Sequence, residues 1–265
     1  MKFERDNRLG DSHVVVTGGA RGIGRGIAVR CAKAGADVSI FDTRPDVAAE
    51  TRDAIEEAGS DGAIFEVDVT DPEVVKTAVA DARAAFGPID GLVNNAGVQR
   101  STPILETSVE EWDFHFGVNA KGVFLCSKHV ARSMISDDVA GNIVTISSVG
   151  ADRPFTGQGA YGASKAAVLT FTKVLARELG EHGITANAIK PGTVETPMVT
   201  EWLEEKAATD DVTEDELLDG TIDEHIMDRI GQPEEIGHMA VLLLSEEGDW
   251  ITGEAIAVDG GYLST

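Results

Sequence analysis

The residues Thr17-Gly18-Gly19-Ala20-Arg21-Gly22-Ile23-Gly24 constrain the fold more than any other stretch. They follow the apolar run Val14-Val15-Val16 and open a helical pattern through Ile27, Ala28, Cys31 and Ala32. A strand, a glycine-rich turn and a helix start, in that order, make a cradle for a dinucleotide. The glycines let backbone approach a pyrophosphate, and the free N–H groups and positive dipole of the helix start hold its charge. The spacing is G-x-x-x-G-x-G, not the commoner G-x-G-x-x-G, and an ordinary strand-to-helix turn could use the same residues.

The rest of the chain repeats the strand-helix order. Apolar strand-like runs at 36–41, 62–67, 89–93, 142–146, 184–189 and 254–258 alternate with helical patterns at 45–55, 72–86, 109–134, 159–179 and 233–244. The pattern at 109–134 is long enough to predict a bend. Alternation of this kind predicts an α/β, Rossmann-type, doubly wound parallel sheet of about seven strands with helices on both faces. Ligands of such sheets bind beyond the carboxyl ends of the strands, where the strand order switches. No linker or low-complexity break divides the 265 residues, so a single domain over 1–265 is expected.

Charge and cysteine content exclude several classes. Acids number 46 against 22 bases, a net charge of −24. Nucleic-acid binding needs a basic face and is disfavoured. The acids are spread along periodic segments, which predicts a folded protein with an acidic, hydrated surface, as in proteins of a very salty cytoplasm. Molar salt would screen its self-repulsion within ~3 Å. The first ten residues resemble neither a signal nor a transit peptide, and the longest apolar run, 239–244, is far too short to cross a bilayer. A soluble cytoplasmic protein is expected. Cys31 and Cys126 sit in apolar helical patterns with no partner at ligand spacing, so no metal site is expected.

Asp42 ends the second strand, eighteen residues after Gly24. A carboxylate there accepts hydrogen bonds from ribose hydroxyls and repels a 2′-phosphate, which favours NAD over NADP. It could equally be a strand-end turn residue. Arg21 and Arg44 could each pair with a 2′-phosphate, so NADP stays possible. The chemistry lies further on. Ser148 follows the fifth strand, Tyr161 comes thirteen residues later, and Lys165 lies at i+4 on the same helix face. A neighbouring ammonium, with the positive nicotinamide ring, should lower the phenol from its usual value near ~10. Tyr161 could then exchange a proton with an alcohol or ketone while the cofactor carries the hydride.

With these residues in place, the chain resembles the short-chain dehydrogenase/reductase family over nearly its whole length. The matching pieces are TGGARGIG at 17–24, Asp68-Val69, NNAG at 94–97, Asn119, Ser148, YGASK at 161–165, PGTVET at 191–196 and VDGG at 258–261. Gly18, Arg21, Gly22, Ile23 and Gly24 of the glycine loop are candidate cofactor-binding residues. The resemblance places Asp68 and Val69 at the adenine, and Asn95, Ala96 and Gly97 along the adenosine ribose. Ile189, Pro191, Gly192, Val194 and Thr196 would close on the nicotinamide carboxamide. It also implies a catalytic set of Asn119, Ser148, Tyr161 and Lys165, in which Asn119 holds a water of a proton relay and Lys165 reaches the nicotinamide ribose. The family commonly forms tetramers through the helices at 109–134 and 159–179, and a homotetramer is expected. The second apolar face of the 159–179 helix agrees.

The substrate is less legible. Residues 198–228, with twelve acids and one base, form the expected lid, holding a helix or two. Met198 and Trp202 are its candidate contacts. Arg100 and Arg153 flank the predicted pocket, where either could grip a carboxylate or pair with a surface acid. Gln99, Gln158 and Thr193 add polar groups. This lining points to a small molecule: a sugar, polyol or sugar acid with a secondary alcohol. A 3-oxoacyl thioester reductase carries the same motifs, and a non-enzymatic dinucleotide sensor is the remaining alternative.

Overall fold

The computed structural model describes residues 6–210 and 212–265, apart from the side chains of 209 and 210. Residues 1–5 of the leading segment and Asp211 of the expected lid lie outside the described residues. Seven parallel strands form one sheet in the order β3-β2-β1-β4-β5-β6-β7. They are β1 (His13–Thr17), β2 (Asp37–Asp42), β3 (Gly62–Glu66), β4 (Gly91–Asn94), β5 (Asn142–Ile146), β6 (Thr185–Pro191) and β7 (Ala255–Val258). β1 and β5 are buried along their whole length, as parallel strands covered on both faces must be.

Side-chain alternation along the strands sends residues to two separate cores. Val14 and Val16 of β1 join a cluster with α1 (Gly22–Lys33), α2 (Pro45–Glu57) and α9 (Pro233–Leu244), through Ile27, Ile55 and Ile236. Val15 points the other way, to Val75 of α3 (Pro72–Phe86), Val130 of α5 (Val123–Asp137) and Leu175 of α6 (Gly159–Leu179). Two-residue periodicity therefore fills both layers of the fold. Helix starts follow local chemistry: the Asp71 carboxylate accepts the N–H groups of Glu73 and Val74 ahead of Pro72 at the start of α3.

The bend expected in 109–134 is a π-helical segment, Gly117–Gly122, joining α4 (Val109–Phe116) to α5. The expected lid holds most of α7 (Pro197–Asp210) and all of α8 (Glu214–Asp223). No described helix is long and apolar enough to cross a membrane.

Candidate active site

Strand order reverses on either side of β1, and a cavity of about 270 Å³ opens at the carboxyl ends of β1, β4, β5 and β6. One end is the glycine loop. Gly18 has φ +64°, and a Cβ there would lie 2.8 Å from the Ala96 backbone. The Thr17 hydroxyl accepts the N–H groups of Asn95 and Ala96 at 3.0 Å. Asn95 Nδ2 donates to the carbonyls of Thr17 and Gly18 at 3.0 Å. The Asn95 amide thus pins the loop.

α1 starts directly against this cavity. Arg21 at its N-cap makes no side-chain cap, and the first turn holds no acid. Gly22, Ile23 and Gly24 line the opening, where the first-turn N–H groups of a helix lack intrahelical partners. A diphosphate fits this arrangement: its charge matches the helix dipole, and the glycines leave room for it. Ala96, Gly97, Pro191, Gly192, Val194 and Thr196 continue the wall.

Four expected nucleotide contacts lie outside the wall, among them Ile189, which is fully buried in the core. The Asp42 carboxylate, almost fully buried, accepts the Ala20 N–H at 3.0 Å and the Arg44 N–H at 3.1 Å. Asp68 Oδ1 accepts the N–H and hydroxyl of Thr70, and Val69 is buried against Gly122 of the π segment. Arg21 and Arg44 do line the cavity. Each faces a carboxylate: Arg21 Nη1 lies 2.7 Å from Glu201 Oε1 of α7, and Arg44 Nε lies 3.6 Å from Asp42 Oδ1.

Ser148, Tyr161 and Lys165 meet at the centre of the wall. The Ser148 hydroxyl accepts the Gly150 N–H at 3.0 Å and acts on the Tyr161 phenol beside it. The neighbouring Ser147 is committed elsewhere, donating to the Lys165 carbonyl at 2.8 Å. Lys165 Nζ donates to the Ile146 carbonyl at 2.8 Å and lies 5.9 Å from the centre of the Tyr161 ring. Burial pushes the Tyr161 phenol up from its ordinary value, against the smaller opposing effect of Ser148. The same burial lowers Lys165 to about 8. The expected drop at Tyr161 is therefore reversed in the free protein, because desolvation disfavours both charged forms.

Asn119 is fully buried behind this group. Its Oδ1 accepts the Val98 N–H at 2.8 Å, and its Nδ2 donates to the Val98 carbonyl and the Ser164 hydroxyl at 3.0 Å. The side chain braces the Gly97 turn against α6 from outside the cavity wall. It sits in the π segment, where i→i+5 pairing shifts carbonyls out of the α-helical ladder.

At the substrate end, Gln99, Gln158 and Thr193 line the cavity with Met198 and Trp202. Gln158 is only 7% exposed, and its side chain makes no hydrogen bond to the protein among the described residues. The two expected arginines are turned away. The Arg100 guanidinium lies 4.5 Å over the Phe114 ring, while its N–H donates to His115 Nε2. Arg153 donates to the Tyr262 carbonyl and the Thr265 hydroxyl. Aromatic faces and backbone carbonyls took these cations in a loop-rich region that sequence spacing does not describe. Phe155 and Val199 line the cavity, as does Thr221 of α8; sequence reasoning missed all three. Phe155, seven residues past Ser148, carried some signal, whereas Thr221 is placed only by the packing of α8. Replacing Arg100 by Ala should leave substrate KM unchanged and cost stability of only about 0.5–1 kcal/mol, the usual worth of an exposed cation–π contact. A severalfold rise in KM would put that side chain back in the site.

A family model described as enoyl-(acyl carrier protein) reductase matches residues 18–263. A 2,5-dichloro-2,5-cyclohexadiene-1,4-diol dehydrogenase from Sphingobium indicum is 35% identical over 255 residues, covering 96% of this chain and 98% of its own. A (3R)-3-hydroxyacyl-CoA dehydrogenase from Canis lupus familiaris is 36% identical over 262 residues, covering 96% and 97%. A crystal structure of a short-chain type dehydrogenase/reductase from Mycobacterium marinum shares the fold at a TM-score of 0.89, with 30% identity and coverage of 98% and 99%. By sequence and by fold, the chain belongs to the short-chain dehydrogenase/reductase family of NAD(P)-dependent oxidoreductases, with dehydrogenases of CH–OH groups among its relatives.

Proposed function

We propose that the chain is an NAD-dependent dehydrogenase of a secondary alcohol that carries a second polar group, most simply a neutral polyol or sugar. The observation that carries this reading is Gln158: a buried amide, without a protein partner among the described residues, on the wall that also holds Ser148 and Tyr161. With no partner in the protein, that amide can hydrogen-bond a substrate hydroxyl or carbonyl in place of water. A sugar acid is less well served, because Arg100 and Arg153 are spent elsewhere. The name of the Sphingobium relative, a diol dehydrogenase, agrees with this substrate class.

In this reading Ser148 holds the substrate oxygen. Tyr161 takes its proton on oxidation and returns it on reduction. Lys165 lends positive charge beside the phenol, and Asn119 keeps the Gly97 turn and α6 in register behind them. The bound nicotinamide supplies the hydride acceptor and, when oxidised, a second positive charge. NAD is favoured over NADP because Asp42 puts a carboxylate at the end of β2, and both nearby guanidiniums already face acids.

Phe155, Met198, Val199 and Trp202 also give the cavity an apolar wall. That wall, together with the name of the Canis relative, favours a 3-hydroxyacyl thioester as the second reading. A panel of 1,2-cyclohexanediol, myo-inositol, D-gluconate and 3-hydroxybutyryl-CoA, assayed with NAD and NADP in dilute buffer and in molar potassium chloride, separates the readings. The expected result is highest kcat/KM for a neutral diol with NAD, and in the salt. Preference for the thioester overturns the diol assignment. Full activity in dilute buffer overturns the adaptation to salty cytoplasm that the acidic surface suggests. A homotetramer is part of the same proposal, supported by the exposed apolar side chains of Val109, Trp112, Phe124 and Val174 on α4, α5 and α6. Light scattering at the mass of one chain would rule it out.

A further inference from the structure

The Val258-Asp259-Gly260-Gly261 run and Arg153 have no part in proton transfer or nucleotide binding, yet they meet in one cluster. Gly260 and Gly261 have φ +59° and +86°. A Cβ on Gly261 would lie 2.7 Å from Ile226, and one on Gly260 would lie 3.3 Å from His225. Glycine at both positions lets the C-terminal backbone lie directly on the segment after α8. The Met227 N–H donates to the Gly260 carbonyl at 2.9 Å and holds it there.

Next comes Tyr262, only 3% exposed. Its ring meets a guanidinium and two other rings. The Arg153 guanidinium lies 4.6 Å over it, the Phe155 ring is 5.7 Å away and the His225 ring 5.4 Å. Arg153 Nη1 also donates to the Tyr262 carbonyl at 3.2 Å and to the Thr265 hydroxyl at 3.0 Å, and that hydroxyl donates back to the Tyr262 carbonyl at 2.8 Å. Burial, ahead of the nearby Glu224 carboxylate, pushes the Tyr262 phenol up, so the side chain is neutral at physiological pH.

The neighbours of Tyr262 lead to the substrate end of the cavity. Phe155 is itself part of the wall. His225 Nδ1 lies 2.8 Å from the Thr221 carbonyl, and its Nε2 lies 3.4 Å from the Thr193 nitrogen. With the proton on Nδ1, the ring donates to Thr221 and accepts the Thr193 N–H. Thr193 and Thr221 both line the cavity.

We propose that Tyr262 is a positioning residue for the substrate end of the site: it clamps the loop after Ser148 to the end of α8 and so sets Phe155, Thr193 and Thr221. It does this from outside the cavity wall. The clamp presupposes that the cavity beside Tyr161 is the substrate site. It also gives Arg153, which does not face the cavity, a part in shaping it through Tyr262.

The test uses the full chain, with Tyr262→Leu, Tyr262→Phe and Arg153→Ala measured beside Tyr161→Phe. The probe is 1,2-cyclohexanediol, or the panel alcohol that surpasses it. Tyr262→Leu should raise substrate KM about tenfold, with kcat changing much less and NAD affinity held, since a displaced wall loses substrate positioning before chemistry. Tyr262→Phe keeps the ring contacts and should restore KM to near the parent value. Arg153→Ala should raise KM severalfold, equally for neutral and acidic substrates; a rise confined to acids would mean direct contact. Deuterium uptake should increase in 153–158 and 214–227 and stay unchanged in β1 and β4. Parent-like KM in Tyr262→Leu overturns the clamp, as does a parallel loss of NAD affinity. If Tyr262→Leu does not fold, Arg153→Ala decides by the same criteria. Undiminished turnover in Tyr161→Phe would instead overturn the reading of the site itself.

Discussion

Tyr161→Phe is expected to lower turnover by about 10²–10⁴-fold, the usual worth of a positioned general acid–base, while NAD affinity stays near the parent value. The substitution removes one hydroxyl. The ring, its packing and the position of Lys165 are retained. Without that hydroxyl the substrate oxygen has no suitable group to exchange its proton with: the Ser148 hydroxyl is in reach but far too weakly acidic, and Lys165 Nζ is already committed to the Ile146 carbonyl. Equilibrium binding of NAD, read by fluorescence, and steady-state turnover with the best panel alcohol are the two measurements. Turnover within a few-fold of the parent would remove Tyr161 from the mechanism.

The pH profile of the parent follows from the same burial. Oxidation needs the phenol deprotonated, and desolvation raises the value of Tyr161 in the free protein. The kcat/KM for oxidation should therefore climb with pH through the neutral range, since it reports the free enzyme. Reduction needs the proton in place and should be favoured toward lower pH. Lys165, lowered to about 8, loses its proton partway through that climb. Its ammonium no longer supports the phenolate above that point, so the rise in oxidation should flatten there. The two groups form one titrating unit, and the profile reports the pair. A profile for oxidation that falls from pH 6 to pH 8 would contradict this arrangement.

The residues of this centre were legible in sequence because each sits on a regular element or just after one. Ser148 follows β5, and Tyr161 and Lys165 share one face of α6, where spacing translates directly into geometry. The sheet was legible for the same reason: its strands are short apolar runs that alternate with helices. Even the bend near Asn119 was implied by a helical pattern too long to stay straight. What sequence did not convey lies in loops and at packing contacts between distant segments. Arg153 is claimed by Tyr262, more than a hundred residues later, and Arg100 by the ring of Phe114. The charge of an arginine is visible in sequence, but the competition among acceptors for it is settled only in three dimensions. Desolvation behaves likewise. The i+4 spacing announced the Tyr161–Lys165 pair, but it said nothing of the burial that pushes both toward their neutral forms.

Gly24→Ala is expected to abolish measurable nucleotide binding at millimolar NAD and to destabilise the fold, where overpacking a tight site typically costs about 1–3 kcal/mol. A Cβ at Gly24 would lie 2.1 Å from the Gly18 carbonyl oxygen and 2.4 Å from Asn95 Nδ2. The first is backbone. The second is the amide that ties the glycine loop to the turn after β4 through Thr17 and Gly18. Neither can yield without opening the loop, and opening it moves the first turn of α1 away from where a diphosphate must lie. Gly19 contrasts with it in the same loop: a Cβ there would be 3.0 Å from Cγ2 of Ile40 and 3.4 Å from the Val16 carbonyl oxygen, a much milder crowding than at Gly24. Gly180 provides the outer control. It follows α6 with φ −60° and has nothing within 4 Å of the built Cβ. Ala there should be tolerated, or stabilising by about 0.4–1 kcal/mol through the unfolded chain. Thermal melts with and without NAD distinguish the three variants. The parent, Gly19→Ala and Gly180→Ala should gain stability from the nucleotide with the logarithm of its concentration over Kd, and Gly24→Ala should gain none. An unchanged NAD-dependent shift in Gly24→Ala would mean that the loop is looser than its hydrogen bonds imply, and that the diphosphate is held elsewhere.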